Sequence, residues 1–314
     1  MKTSGKRYII YIDMKEYVSS SEIAKKWKIS ERQVRTYCAQ GRIDFAKFEN
    51  GNWFVPKDSK KPPRLAKKRS NLLKILKEED KAGTSGGIYH KSQILMAYNS
   101  NRIEGSKLSE AQTRYIFETN TIGIEKDEKL KGVKVDDVVE TANHFRCFDY
   151  IIDNAKRPVS ENMLKKLHFI LKNGTEDSRK EWFKVGTYKK YKNEVGGVET
   201  TPPELVEMEI KKLIKGYRAK EKKTGLSFDD LLNFHYRFEK IHPFQDGNGR
   251  VGRLILFKEC LRLGIVPFII EDDYKMFYYR GLKEWKTERG YLRDTCLSAQ
   301  DKYKEYLNSF GIMY

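Results

Sequence analysis

Apolar residues recur at three- and four-residue spacing along most of this chain, the pattern of amphipathic helices. Ser19 to Glu22 reads as a capping box, followed by Ile23, Ala24 and Trp27 on one helical face. Ser30 and Gln33 read as a second box, opening a helix through Val34 and Tyr37 to about Gln40, where Gly41 stops it. Residues 43–48 and 53–56 then flank Glu49-Asn50-Gly51-Asn52, whose Asn-Gly pair signals a tight hairpin. These elements predict a helix-turn-helix with a hairpin wing. Further on, Leu72, Leu73, Ile75 and Leu76 predict a short helix broken by the glycines of 83–87. A helix from about Lys91 carries Ile94, Leu95 and Tyr98. The same periodicity predicts helices over 133–152, 160–171, 204–223, 226–240, 272–285 and 291–310. Glycine turns with short extended runs predict a hairpin at about 186–201. The expected fold class is mostly α, a helical domain with a small β-hairpin flap behind a small winged helix-turn-helix.

Composition and charge refine the organisation. The 314 residues are 39% hydrophobic, enough for one sizeable core and a second small one. The apolar run 264–270 contains a proline and is too short to span a bilayer, and Tyr8 to Ile12 is too short for a secretory signal. Cys38, Cys147, Cys260 and Cys296 fit no CxxC or disulfide spacing, so a cytoplasmic location is expected. Of the net charge of +18, the first 70 residues carry +11, with 18 Lys and Arg against 7 Asp and Glu. Such asymmetry points to a polyanion, and Arg32, Gln33, Arg35 and Thr36 near the start of the second helix are the candidates to face a DNA major groove. Residues 57–71, rich in lysine, arginine and proline, read as a basic linker between a unit at 1–56 and one at 72–314. His144 and His168 fall within helical patterns without a carboxylate cluster and read as packing or surface residues. Tyr278 and Tyr279 read as core first and as nucleobase contacts second.

The densest chemistry lies at 241–253, IHPFQDGNGRVGR. Leu231, Phe234, His235, Phe238 and Ile241 form the apolar face of an entering helix that Pro243 ends. Leu254, Phe257 and Leu261 resume the period. The glycines therefore open a second helix, whose first amides lack internal partners and point outward with partial positive charge. Gly247 and Gly249 let that backbone approach a ligand and Asn248 adds an amide, so phosphate is the natural guest. Arg250 and Arg253 share a helical face and suit two further phosphates, Asp246 suits Mg²⁺, and His242 can exchange a proton near neutral pH. Gly247, Gly249 and Gly252 satisfy GxGxxG, but a helix rather than a strand precedes them, which argues against a dinucleotide fold. Phosphoryl or nucleotidyl transfer is the chemistry indicated.

HPFQDGNGRVGR resembles the signature of Fic-domain proteins, HxFx(D/E)GNGRxxR, at every specified position. That resemblance implies a protein adenylyltransferase, moving AMP from ATP to a hydroxyl side chain of a target protein or of itself. It makes His242 the general base, Asp246 the Mg²⁺ ligand, Gly247, Asn248 and Gly249 the phosphate cradle, and Arg250 and Arg253 the holders of the β and γ phosphates. Ser100 to Gly105 resembles the inhibitory motif (S/T)xxxE(G/N) of the same family, on a helix at about 91–104 ahead of the core. Ser100 and Glu104 would then autoinhibit the enzyme, Glu104 pairing with Arg253 where the γ-phosphate binds. By the same resemblance the flap at about 186–201 holds the target segment by strand addition. Residues 15–63 resemble the winged helix-turn-helix modules of excisionase and MerR-type regulators. Two other functions stay open: Glu104-dependent removal of AMP, and a DNA-binding regulator whose Fic domain senses nucleotide. The donor, UMP or phosphocholine in some family members, and a homo-oligomer stay open too.

Overall fold

The computed structural model describes residues 16–62, 71–122, 132–195 and 197–314. The chain forms two compact units, Met1–Lys68 and Arg69–Tyr314. The short apolar run at Tyr8 to Ile12 lies outside the described residues, as does most of the expected linker.

In the N-terminal unit, strand β1 (Tyr17–Ser19) leads into helices α1 (Ser20–Trp27) and α2 (Glu31–Ala39), then strands β2 (Lys47–Glu49) and β3 (Asn52–Pro56). Ser19 and Glu22 make the full reciprocal capping box. Ser30 caps α2 through the Gln33 amide, but the Gln33 side chain donates to the Tyr37 hydroxyl (2.8 Å) instead of turning back, so the second box is only half made. Asn50 and Gly51 both take positive φ (51° and 77°), the tight-turn geometry expected of Asn-Gly. The first hairpin strand is shorter than expected because Phe45 takes φ 61° and Ala46 N–H closes a turn on the Ile43 carbonyl. The unforeseen β1 pairs with β3, placing β3 centrally in a three-stranded sheet. Ile23, Trp27, Val34, Tyr37 and Val55 fill the small core. Residues 57–62 are not free linker. Lys57 N–H bonds the Glu16 carbonyl (2.8 Å), Lys61 bonds the Trp27 carbonyl (3.0 Å), and Pro62 is buried.

The C-terminal unit is helical, as the periodicity predicts. It comprises α3 (Leu72–Ala82), α4 (Ile88–Ile103), α5 (Glu110–Thr119), α6 (Val135–Asp153) and α7 (Glu161–Lys172). After these come the hairpin β4 (Glu194–Val195) and β5 (Val198–Glu199), then α8 (Pro203–Thr224), α9 (Phe228–Ile241), α10 (Asn248–Leu263), α11 (Lys275–Glu284) and α12 (Gly290–Ser309). Helix α10 is buried along most of its length and packs against α4, α6, α7 and α9. Phe148, Leu167, Phe238, Phe244, Val251 and Phe257 knit these helices into one core. The loop 242–247 is thus clamped between two buried helices. No helix among the described residues is long and apolar enough to cross a membrane.

Candidate active site

The site is built where α9 breaks into α10. Pro243 cannot continue α9, and His242 caps it in the left-handed region (φ 50°), its N–H bonding the Phe238 carbonyl (2.9 Å). A residue before proline normally takes the extended region, so this turn is over-determined by its surroundings. Asn248 supplies part of that determination. Its Oδ1 accepts from the Phe244 N–H and its Nδ2 donates to the Phe244 carbonyl, both at 2.8 Å, and the residue is 1% exposed. The Asn248 amide was expected to face a phosphate; here both its polar atoms fasten the loop instead. Phe244 in turn stacks on His168 (centroids 4.1 Å apart, planes within 3°), whose Nδ1 accepts the Gly186 N–H. His168 is therefore a packing residue. Gly247 takes φ 79° as the first cap of α10, a conformation that favours glycine.

His242 is mostly enclosed, and its Nδ1 has no partner among the described residues. Burial, and then the Lys189 ammonium, lower its pKa to about 4, so the imidazole is neutral at physiological pH. Lys189 is itself buried. Its Nζ reaches the Asn193 (2.7 Å) and Thr200 (2.5 Å) side chains and the Ile241 carbonyl (3.4 Å), while its N–H bonds the Pro243 carbonyl (2.9 Å). It ties the flap to the histidine loop. The flap strands are two residues each and their side chains are exposed.

Asp246 is half exposed (49% of its side chain), with Oδ2 bonded to Lys172 Nζ (2.6 Å) and Arg250 (3.2 Å). Burial alone would raise its carboxyl, but the Arg250 and Lys172 charges hold it well below the usual range. Lys172 also contacts Glu140 (2.5 Å) and Asp177 (3.2 Å), and Glu140 pairs with Arg250. Arg250 further reaches Asn101 Oδ1 (3.5 Å). This buried network was not foreseen. Among the described residues no group of three metal-binding side chains exists. Asp246 still fits a Mg²⁺ delivered with a nucleotide, because the carboxylate is half exposed and Mg²⁺ commonly takes one carboxylate plus substrate phosphates.

Arg253, 4% exposed, is held from α4. Its Nε and a terminal nitrogen donate to the hydroxyl and carbonyl of Ser100 (3.0 Å each), and the same terminal nitrogen donates to Glu104 Oε1 (2.6 Å). The Glu104 carboxylate lies directly over Gly249, where an added Cβ would overlap it. It thus occupies the mouth of the first turn of α10, the position an anion would take. Behind Arg253, Tyr278 is fully buried, its ring 6.0 Å from the guanidinium and its hydroxyl 2.6 Å from His235. Tyr279 is partly exposed and faces the Ile103 carbonyl.

The candidate DNA contacts are largely engaged within the N-terminal unit. Arg35 pairs with Glu31 (2.6 Å), the Thr36 hydroxyl bonds the Arg32 carbonyl (3.0 Å), and Gln33 bonds Tyr37.

Residues 158–259 match the model of the Fic/DOC family. Over 234 residues the chain is 28% identical to a protein adenylyltransferase Fic of Culex quinquefasciatus, covering 71% of this chain and 42% of that one. It is 26% identical over 191 residues to the Drosophila melanogaster counterpart, covering 59% and 36%. The chain therefore spans less than half the length of these curated relatives. Among solved structures, a Fic domain containing signaling protein from Bacteroides thetaiotaomicron superposes with TM-score 0.56 at 24% identity, covering 76% of this chain and 92% of that one. Fic-1 from C. elegans gives 0.57 at 18%, covering 77% and 72%. With the loop geometry and these likenesses taken together, residues 158–259 resemble a Fic/DOC domain, and the helical unit shares its fold with solved Fic proteins.

Proposed function

We propose that this chain is an autoinhibited protein adenylyltransferase, transferring AMP from ATP to a Ser, Thr or Tyr hydroxyl of a target protein or of itself. The observation that carries the reading is the Glu104 carboxylate bonded to Arg253 and lying over Gly249. Arginine pairs with a carboxylate much as it pairs with phosphate, so the side chain competes for the γ-phosphate position. When Glu104 withdraws, the outward amides at the start of α10 and the Arg253 guanidinium receive the triphosphate. The neutral His242 ring takes the proton of the target hydroxyl as its oxygen bonds the α-phosphorus and pyrophosphate leaves. Bound at Asp246, Mg²⁺ would neutralise phosphate charge. Lys172 and Arg250 keep Asp246 ionised, and Glu140 holds Arg250 in place. The exposed flap edge offers main-chain pairing to the target segment. Rate enhancement comes from positioning and charge stabilisation.

The reverse reaction uses the same groups, with water in place of the hydroxyl and Glu104 to position it. To decide between these readings, the Glu104→Gly chain is incubated with ATP, Mg²⁺ and cell extract, and peptides are analysed by mass spectrometry. New AMP-bearing hydroxyl peptides support the transferase. Loss of AMP from a pre-modified substrate by wild type alone supports the reverse enzyme. Nucleotide binding without either outcome leaves a sensor. The N-terminal unit, which carries most of the net positive charge, is proposed to bind duplex DNA electrostatically, with log affinity falling linearly in log salt.

A further inference from the structure

A cavity of about 700 Å³ opens at the far end of α4 from Glu104. Helices α3, α4, α5 and α6 and the turn at 83–86 line it, and its volume is that of a small-molecule pocket. By helix rise, the first turn of α4 lies about 20 Å from Glu104, so this cavity is separate from the candidate active site.

The charge on its walls is uneven. On the α5 side, Glu118 is balanced by Arg114 (3.6 Å), with the His90 ring 3.1 Å away. On the opposite side Glu79, Asp80 and Asp149 have no ion-pair partner among the described residues. Their contacts come from neutral donors. Glu79 accepts the Tyr89 N–H (2.7 Å), and Asp149 accepts Gln93 Nε2 (2.5 Å) and the Tyr89 hydroxyl. Burial first, and then the charges of Asp80 and Asp153, push the Asp149 carboxyl above its ordinary range, against the opposing bonds from Tyr89 and Gln93. Uncompensated negative charge in a half-enclosed cavity favours a cationic guest.

A second observation specifies the missing group. Gln93 lines the cavity and is 1% exposed; its Nε2 bonds Asp149 and the Phe145 carbonyl (3.2 Å), while its Oε1 has no partner among the described residues. Flipping the amide would set that oxygen against a carbonyl and a carboxylate, so the orphan is an acceptor awaiting a donor. A bare metal ion does not fit. No three ligating side chains converge among the described residues, the space is far larger than an ion, and Tyr89 and Phe117 form part of the lining.

We propose that this cavity binds a small organic di- or polyamine. An ammonium group would be held by Asp80 and Asp149, a donor hydrogen would satisfy Gln93 Oε1, and the alkyl chain would lie along the aromatic lining. The test titrates the full-length chain with spermidine by isothermal calorimetry at fixed ionic strength, with MgCl₂ as the competitor. Saturable one-site binding is expected, unaffected by Mg²⁺ at matched ionic strength. Asp149→Asn and the half-buried Asp80→Asn should each weaken it by about tenfold or more. Far-UV circular dichroism confirms that each variant is folded. Absence of saturation, displacement by Mg²⁺ at matched ionic strength, or wild-type affinity in both folded variants would overturn the assignment. No nucleotide enters the assay, so its outcome is independent of the adenylyl-transfer reading.

Discussion

Asn248→Ala separates a brace from a ligand contact. In the wild-type loop one side chain satisfies both the N–H and the carbonyl of Phe244, at 2.8 Å each, in a position almost closed to solvent. Alanine strands both backbone groups in the core. A buried unsatisfied polar group costs about 1–3 kcal/mol, so the pair should cost roughly 2–6 kcal/mol. At about 2–4 °C per kcal/mol for a unit of this size, the melting temperature should fall by roughly 4–24 °C. Asn248→Asp should recover little, because it keeps an acceptor for the N–H but opposes a carboxylate oxygen to the Phe244 carbonyl. Urea and thermal unfolding followed by far-UV circular dichroism measure the loss, and ATP titration of the folded variants measures binding. If Asn248→Ala unfolded like wild type while losing nucleotide affinity, the brace argument would be refuted and the side chain would be a phosphate contact.

Four further outcomes follow from the same geometry. Glu104→Gly should tighten ATP binding by about ten- to a hundredfold, the worth of a charge-assisted hydrogen bond to Arg253, with a smaller gain for ADP; calorimetry giving equal gains would place Glu104 away from the γ-phosphate. Burial lowers the pKa of His144, His168 and His235 to about 3 each, and burial with Lys189 lowers that of His242 to about 4. Their folded values lie below the unfolded one, so the stability they contribute is complete above about pH 6.5 and is lost as pH falls, at up to about 1.4 kcal/mol per pH unit each. Burial raises Glu239 to about 8, which works the other way and offsets one of the four; urea midpoints that stay flat from about pH 6.5 to 5 would contradict this. Lys172→Met leaves Glu140, Asp177 and Asp246 facing one another and should destabilise by about 3 kcal/mol or more, measured by urea unfolding. Lys189→Met removes the tie between flap and histidine loop, so limited proteolysis should cut at about 190–200 faster than in wild type, with little change elsewhere.

Most helices of the C-terminal unit were legible from the three- and four-residue spacing of their apolar positions, and α7 and α9 also carry a serine cap. Helix α5 escaped notice although Ser109 and Gln112 make a full capping box there, since its apolar stripe is weak. Strand β1 is three residues long and exists through pairing with β3, some 36 residues away, which no local pattern announces. The site motif was legible as a cluster of functional groups, and the pairing of Glu104 with Arg253 was expected from a family resemblance. The roles of Glu140 and Lys172 were not legible. Each is a charged residue in an ordinary helical pattern, brought to Asp246 and Arg250 by packing of α6 and α7 on α10. The bracing contacts of Asn248 were not legible either: its position at a helix start suits a ligand or its own preceding turn equally well, and its two bonds to Phe244 depend on how the loop is clamped.

The most direct test of the central claim compares wild type, Glu104→Gly and His242→Ala with α-labelled ATP and Mg²⁺, scoring label on the protein itself and on proteins of a cell extract. Strong labelling by Glu104→Gly, with little by wild type and by His242→Ala, is the predicted result. Equal labelling by wild type and His242→Ala, or none by a Glu104→Gly chain shown to bind ATP, would contradict an autoinhibited adenylyltransferase.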